Sequence, residues 1–206
     1  MSVSRETLIS TYFAERQNEL SRYAEILSTW GIERGLIGPK EGDRIWERHI
    51  ANCIPITTLI EKGASVIDIG SGAGLPGIVI ALARPDLRVT LLEPLQRRVD
   101  FLNEVIAELA LDIAVIRGRS EAIKGSFGVV TARAVAPLPK FLNLSWHLVA
   151  PGGALLAMKG ESAAQELEEA KILARKVFKK VSQSQLHELQ LGEIPLARIV
   201  ELKKAG

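Results

Sequence analysis

The chain has 206 residues, 47% of them hydrophobic and 24% charged, which fits a single globular domain and excludes disordered, collagenous and coiled-coil classes. Its 26 Lys and Arg against 24 Asp and Glu leave a formal net charge of +2, too small to signal nucleic-acid binding by itself. The single cysteine, Cys53, allows neither an intrachain disulfide nor a zinc cluster, and the polar start MSVSRETLIS lacks the apolar stretch of a secretory signal, so a cytoplasmic protein is expected. The most apolar run, residues 75–83, contains Pro76 and stops at Arg84, short of the roughly 18 apolar residues of a spanning helix. No membrane partner is expected.

In chain order, Leu8, Tyr12, Phe13, Leu20, Tyr23, Ala24, Leu27 and Trp30 recur at spacings of three and four. This predicts an amphipathic helix over residues 7–30 that stops at Gly31. A glycine-rich interruption over 31–42, with Pro39 inside, leads to a second helical stretch carrying Ile45, Trp46, His49, Ile50, Cys53 and Ile54. Residues 1–62 therefore read as a helical cap, and residues 63–206 as one compact core.

From Ala64 the rhythm changes. Residues 64–69 form a short, nearly continuous apolar run with β-branched side chains, as in a parallel strand buried on both faces. A helix opened by Pro76 follows, then a strand over 88–93 and a helix over 95–109 with Val99, Leu102, Ile106 and Leu109 on one side. Further strands are expected over 113–116 and 128–132. A helix over 138–148 and a Pro-Gly-Gly turn at 151–153 then launch a fifth strand over 154–158. After a charged helix over 162–178, two strand-like runs, 180–189 and 196–202, flank a turn with Gly192 and Pro195 and read as an antiparallel hairpin at the sheet edge. The fold class is α/β: a Rossmann-like, mostly parallel seven-stranded sheet with a C-terminal antiparallel hairpin and an N-terminal helical cap.

Between the first strand and its helix lies Asp68-Ile-Gly70-Ser-Gly72-Ala-Gly74-Leu-Pro-Gly77, a loop with few Cβ atoms beside a helix N-terminus, suited to a nucleotide-like ligand. A G-x-G-x-x-G spacing exists at Gly72, Gly74 and Gly77, but Gly70 lies nearest the strand, which makes Gly70-x-Gly72-x-Gly74 the better-placed pattern. Glu93 ends the second strand, where its carboxylate can accept from both ribose hydroxyls of NAD or of S-adenosylmethionine alike. The little chain left after the fifth strand leaves no room for a dehydrogenase's substrate domain, and neither Tyr12 nor Tyr23 precedes a Lys at Tyr-x-x-x-Lys spacing. Both points favour the methyl donor.

The segments ERHIANC at 47–53, VIDIGSGAGLPG at 66–77, LLEPLQRRVDFL at 91–102 and ARAVA at 132–136 resemble the RsmG (GidB) family of ribosomal RNA methyltransferases. The likeness covers nearly the whole chain. It implies a class I methyltransferase that uses S-adenosyl-L-methionine to methylate N7 of one guanine in 16S ribosomal RNA near the decoding centre. It further implies 16S RNA or the small ribosomal subunit as partner, and we expect a monomer. Carried over position by position, Gly70, Gly72, Leu75, Glu93 and Arg133, the arginine ending the fourth strand, are expected to contact the cofactor, with Ser120 and Glu121 of Arg119-Ser-Glu beside the adenine. One departure stands out: the family often has an Asp where this chain has Gly128 after Phe127.

Guanine N7 carries an exposed lone pair and no proton, so methyl transfer needs no general base, and the sequence offers no convincing acid–base pair. We therefore nominate no catalytic base and no metal ligand. His49 by itself reads as a buried core histidine, and the resemblance makes Arg48 and His49 candidates for the substrate mouth. Lys159, directly after the fifth strand, is a third candidate by position, to meet an RNA phosphate or stay solvated. Arg97, Arg98, Lys176, Lys179 and Lys180 read as solvated faces, Cys53 as a small core residue, and Trp30, Trp46 and Phe141 as core. Two rival readings remain: a methyltransferase acting on a protein or small molecule, and a non-catalytic nucleotide-binding, ribosome-associated module.

Overall fold

A computed structural model describes residues 4–206; the first three residues of the expected cap lie outside it. The N-terminal part holds α1 (Arg5–Tyr12), α2 (Gln17–Ser28) and α3 (Trp30–Glu33), followed by short turns. The single helix expected over 7–30 is thus three. Between Phe13 and Leu20 no large apolar side chain continues the stripe, and Phe13 leaves helical geometry at φ −134° to bury its ring at 1% exposure. The second expected helix is also irregular. A π turn at Ile45–Ile50 gives way to 3-10 turns at Ala51–Cys53 and Pro55–Leu59, the last opened by Pro55, which has no N–H to extend an α ladder.

The core runs β1 (Ser65–Ile69), α4 (Gly77–Ala83), β2 (Arg88–Glu93), α5 (Gln96–Glu108), β3 (Ala114–Arg117), β4 (Phe127–Arg133), α6 (Leu138–Ser145) and β5 (Val149–Lys159). It closes with α7 (Ala163–Leu173), α8 (Arg175–Phe178), β6 (Val181–Leu189) and β7 (Ala197–Lys204). The seven strands lie in the order β3-β2-β1-β4-β5-β7-β6, with β7 antiparallel to both neighbours and the remaining pairs parallel. Chain order reverses between β1 and β4, so the crevice at their C-terminal ends is the switch point where ligands bind in such sheets.

Two expectations shift. The Pro-Gly-Gly segment lies inside β5 rather than before it: pairing jumps from Phe127↔Val149 to Val129↔Ala154, and Gly152 at φ +72° lets the extra residues bulge out. The charged helix expected over 162–178 breaks at Ala174, which turns to φ −111° to bury its methyl between α7 and α8.

Strand alternation sorts the core into two layers. Val66, Leu91, Val129 and Leu156 join the cluster that holds α2, α4 and α5, while Ile67, Leu92, Val130 and Leu155 join the one that holds α6 and α7. The same alternation turns Asp68 toward α4, whose first residue is Gly77. A Cβ at Gly77 collides with Leu91 Cδ2 and approaches Asp68 Oδ2. Gly77→Ala is therefore expected to lower stability by about 1–3 kcal/mol through overpacking. Denaturant titration checks this as a reduced midpoint at unchanged slope; an unchanged midpoint contradicts it.

Candidate functional site

The turn between β1 and α4 is built from left-handed glycines, with Gly70 at φ +68°, Gly72 at +58° and Gly74 at +95°. Side chains with a Cβ adopt that region at a cost of roughly 1–2 kcal/mol each. The turn is sewn to β2: Gly70 N–H donates to Leu92 O at 2.7 Å, and Gly72 N–H donates to Glu93 Oε2 at 3.0 Å. The other oxygen of Glu93 accepts from Leu95 N–H at 3.0 Å, and Arg98 Nη1 stands 3.7 Å from the carboxylate. Glu93 is buried and hydrogen-bonded at both oxygens, yet each oxygen keeps one further lone pair for a diol. A Cβ added at Gly72 meets nothing closer than Gly70 O at 3.8 Å, so the space in front of this residue is open. An adenosyl ligand fits these features.

Asp68 lies beneath the turn. Its Oδ2 accepts from Gly77 N–H at 3.0 Å, its Oδ1 has no partner, and burial, reinforced by the charge of Glu93, pushes its pKa up to about 7. From the cap, Tyr23 donates its buried hydroxyl to Ala73 O at 2.8 Å and so clamps the loop from the other side. Leu75 packs into the cap-side core. Ser120 and Glu121 form a 3-10 turn just past β3, held close to β2 by Gly118 N–H donating to Glu93 O at 3.2 Å. Ser120 Oγ donates to Glu121 Oε2 at 3.0 Å; this bond, with the backbone N–H of Glu121 as the larger influence, keeps the carboxyl below its ordinary pKa.

A second site adjoins the first. A cavity of about 470 Å³ opens at the ends of β4 and β5, lined by Asn52, Arg133, Val135, Pro137 and Lys159 among others. Val135 is shared, since a Cβ at Gly70 falls 2.9 Å from Val135 Cγ2. Arg133 is tied to the cap: its Nη2 lies 2.9 Å from His49 Nδ1, and its Nη1 donates to His49 O at 3.3 Å and to Cys53 Sγ at 3.5 Å. Burial and then the Arg133 charge lower the pKa of His49, and burial pushes the Cys53 thiol up. Arg48 and His49 both reach Glu41, at 3.2 Å. Lys159 is engaged elsewhere, pairing with Glu166 at 2.8 Å and donating to Ala136 O at 2.6 Å.

The structure thus gathers Gly70, Gly72, Glu93, Ser120 and Glu121 at one edge; Arg133 lines the cavity, and His49 and Arg48 stand behind it, linked through Arg133 and Glu41. Arg133, expected among the cofactor contacts, makes no hydrogen bond to the glycine loop among the described residues; it is tied to His49 and Cys53 and lines the adjoining cavity. Gly128, the departure from the family pattern, sits at the opposite end of the sheet, where its N–H donates to Ser65 Oγ at 3.0 Å. Sequence reasoning missed Asp68, Tyr23, Glu41, Val135 and Glu166. An acid within an apolar strand was a readable signal for Asp68. For Glu41, in an irregular turn distant in sequence from β4, there was none.

Comparison with known proteins gives concordant results. The family model described as rRNA small subunit methyltransferase G (GidB) matches residues 16–194. Proteins named ribosomal RNA small subunit methyltransferase G are similar to this chain. The one from Thermobifida fusca is 56% identical over 162 residues, covering 77% of this chain and 68% of the relative. The one from Kineococcus radiotolerans is 52% identical over 166 residues, covering 79% and 65%. The one from Streptomyces coelicolor is 45% identical over 198 residues, covering 93% and 81%. Among solved structures, a methyltransferase from Pyrococcus furiosus superposes with TM-score 0.61 at 15% identity, covering 94% of this chain and 100% of that one. A SAM-dependent O-methyltransferase from Thermotoga maritima gives 0.59 at 14% identity, covering 81% and 70%. These last two bear on the fold.

Two predictions arise. Glu93→Ala should weaken S-adenosylmethionine binding by about 1–3 kcal/mol, the range for a lost charged hydrogen bond. Isothermal calorimetry reads it, and an unchanged affinity removes Glu93 from the ribose position. Asp68, with a folded pKa of about 7 against an ordinary 3.8, binds its proton more tightly when folded. Its contribution to stability is full below pH 4 and declines as pH rises toward 7, with a slope of at most about 1.4 kcal/mol per pH unit. Asp68→Asn should flatten that decline in melts taken across the range; parallel pH profiles for the two proteins contradict it.

Proposed function

The chain belongs to the rRNA small subunit methyltransferase G family, and on that premise we propose that it transfers the methyl group of S-adenosylmethionine to N7 of one guanine in the 16S RNA of the small ribosomal subunit. The observation that carries this reading is the pair of adjoining sites that share Val135. One is a left-handed glycine turn beside a strand-end acid, and the other is an open cavity at the cap. A group transferase needs such a shared wall, because donor and acceptor must meet in line.

Gly70, Gly72, Leu75 and Glu93, with Ser120 and Glu121, hold the cofactor, which supplies an electrophilic methyl group when bound. Arg48, His49 and Arg133 face the acceptor. N7 has no proton to lose, so the chain's residues act by holding the two reactants in register and keeping water out. Positioning of that kind supplies roughly 7–11 kcal/mol in well-oriented reactions. The cap takes part in both sites, Tyr23 through the loop and His49 through Arg133, which supports residues 1–62 as a lid on a core of 63–206. Both sites come from one chain, which supports action as a monomer, and a ribosomal substrate supports a cytoplasmic location.

The test is methyl transfer from labelled S-adenosylmethionine into small-subunit RNA from cells that lack the gene, offered naked and assembled, with the product nucleoside identified by mass spectrometry. We expect 7-methylguanosine at a single site. Cofactor binding with no label in either RNA form instead favours a protein or small-molecule acceptor or a silent binding module.

A further inference from the structure

Behind the cavity runs a hydrogen-bond chain that makes no bond to the glycine loop among the described residues. Glu41 Oε2 lies 3.2 Å from His49 Nε2, and His49 Nδ1 lies 2.9 Å from Arg133 Nη2. A guanidinium only donates, so Nδ1 must accept, and the imidazole proton is fixed on Nε2, where it donates to Glu41. Arg133 Nη1 donates to His49 O at 3.3 Å and to Cys53 Sγ at 3.5 Å. Both terminal nitrogens of Arg133 are thus held by residues 49–53, in the segment where a π turn gives way to a 3-10 turn. Its Nε–H and the second N–H of Nη2 take no partner among the described residues, and Arg133 lines the cavity.

Guanine shows two acceptors along its major-groove edge, O6 and N7, and an unrestrained arginine takes both at once. Such a pairing occupies the lone pair that has to attack the methyl group. We propose that Glu41 and His49 are positioning residues that hold Arg133 by its end-on fork and so fix the direction of its free edge, with Nε–H donating to O6 of the bound guanine and N7 turned to the methyl donor, out of reach of a second N–H. The proposal rests on the guanine-N7 reading above. It makes the mouth a device for recognising the base without consuming its nucleophile.

The arrangement works only with a neutral imidazole. Protonated His49 turns an N–H toward the Nη2 donor and sets like charges side by side. Around the ring, Arg133 from β4 and Arg48 from the same turn oppose protonation, Glu41 from the preceding turn favours it, and burial opposes it most. The neighbouring Cys53 thiol is held neutral by burial. The ring is therefore neutral at pH 7, and the positioning fails in acid.

Three variants test this: His49→Leu, Glu41→Gln and His49→Asn, whose amide oxygen offers a non-titrating acceptor near the Nδ1 position. Methyl transfer to small subunits is followed at saturating cofactor from pH 5.5 to 8, with cofactor affinity and thermal midpoint as controls. His49→Leu should lower kcat by roughly 10- to 100-fold with cofactor affinity intact, as for a misplaced reactant. Glu41→Gln should lower it less, and His49→Asn should keep most activity while losing the acid limb. Wild-type kcat in His49→Leu, or an acid limb retained in His49→Asn, overturns the proposal. Nitrogen NMR of the His49 ring gives a reading independent of turnover. An Nε2–H tautomer in the free protein supports the positioning, and an Nδ1–H tautomer overturns it. A wild-type enzyme that labels no RNA while showing the Nε2–H tautomer defeats the proposed function and with it the guanine contact.

Discussion

Two buried carboxylates shape the C-terminal edge of the sheet. Asp68, one residue before the end of β1, and Glu93, at the end of the parallel β2, between them accept three backbone N–H groups, those of Gly77, Gly72 and Leu95. A hydrogen bond to a charged acceptor contributes about 1.5–3 kcal/mol, so Glu93, through Gly72 and Leu95, holds the turn to its neighbouring strand, while Asp68 anchors the start of α4 through Gly77. The same closeness has an electrostatic consequence. The charge of Glu93 adds to burial in raising the Asp68 pKa, and a proton on Asp68 spares the loop a second buried charge. Glycines alone do not hold such a turn; they permit it, and the acids and Tyr23 hold it in place.

The centre of the sheet was legible in the amino-acid sequence because β1 and β4 are buried on both faces, which leaves β-branched runs such as Val66-Ile67 and Val129-Val130 with few other readings. β2 was read with its observed bounds and the hairpin in its place at the edge. The cap was legible as apolar periodicity but not as geometry. The polar stretch between Phe13 and Leu20 carries no stripe, and Pro55 forbids a regular ladder, so the chain folds into short turns where a smooth helix was expected. Length matters here too: segments of four to six residues derive little stability from helix propensity and take their form from what they pack against.

The cofactor edge was readable in sequence for a related reason. Its residues follow strand ends directly, and strand ends are fixed by the sheet. The acceptor mouth is different, because it joins the 41–53 segment to β4 across some eighty residues of chain. Arg48 and His49 came from resemblance and Lys159 from its place after the fifth strand, and neither periodicity nor charge pattern points to Glu41 or Glu166. A pairing such as Glu41 with His49 depends on an irregular turn whose path only tertiary packing sets.

Magnitudes distinguish the cations at the mouth. The Lys159–Glu166 pair is largely buried, with side chains 8% and 18% exposed, whereas Arg48–Glu41 lies near solvent at 52% and 25%. Removing one partner of a buried pair costs about 3–5 kcal/mol, while an exposed pair is worth about 0–1 kcal/mol. An RNA phosphate can therefore draw Arg48 away from Glu41 at little cost but cannot draw Lys159 from Glu166. Lys159 has other work: with Glu166 it fastens the loop after β4, donating to Ala136 O while Glu166 accepts from Leu138 N–H at 2.8 Å. That loop contains Ala134 at φ +54°, a conformation that a residue with a Cβ keeps only when its surroundings impose it. Held by Arg133 at one end and by the Lys159–Glu166 pair at the other, it keeps Val135 against Gly70, and so keeps the wall between donor and acceptor sites one side chain thick.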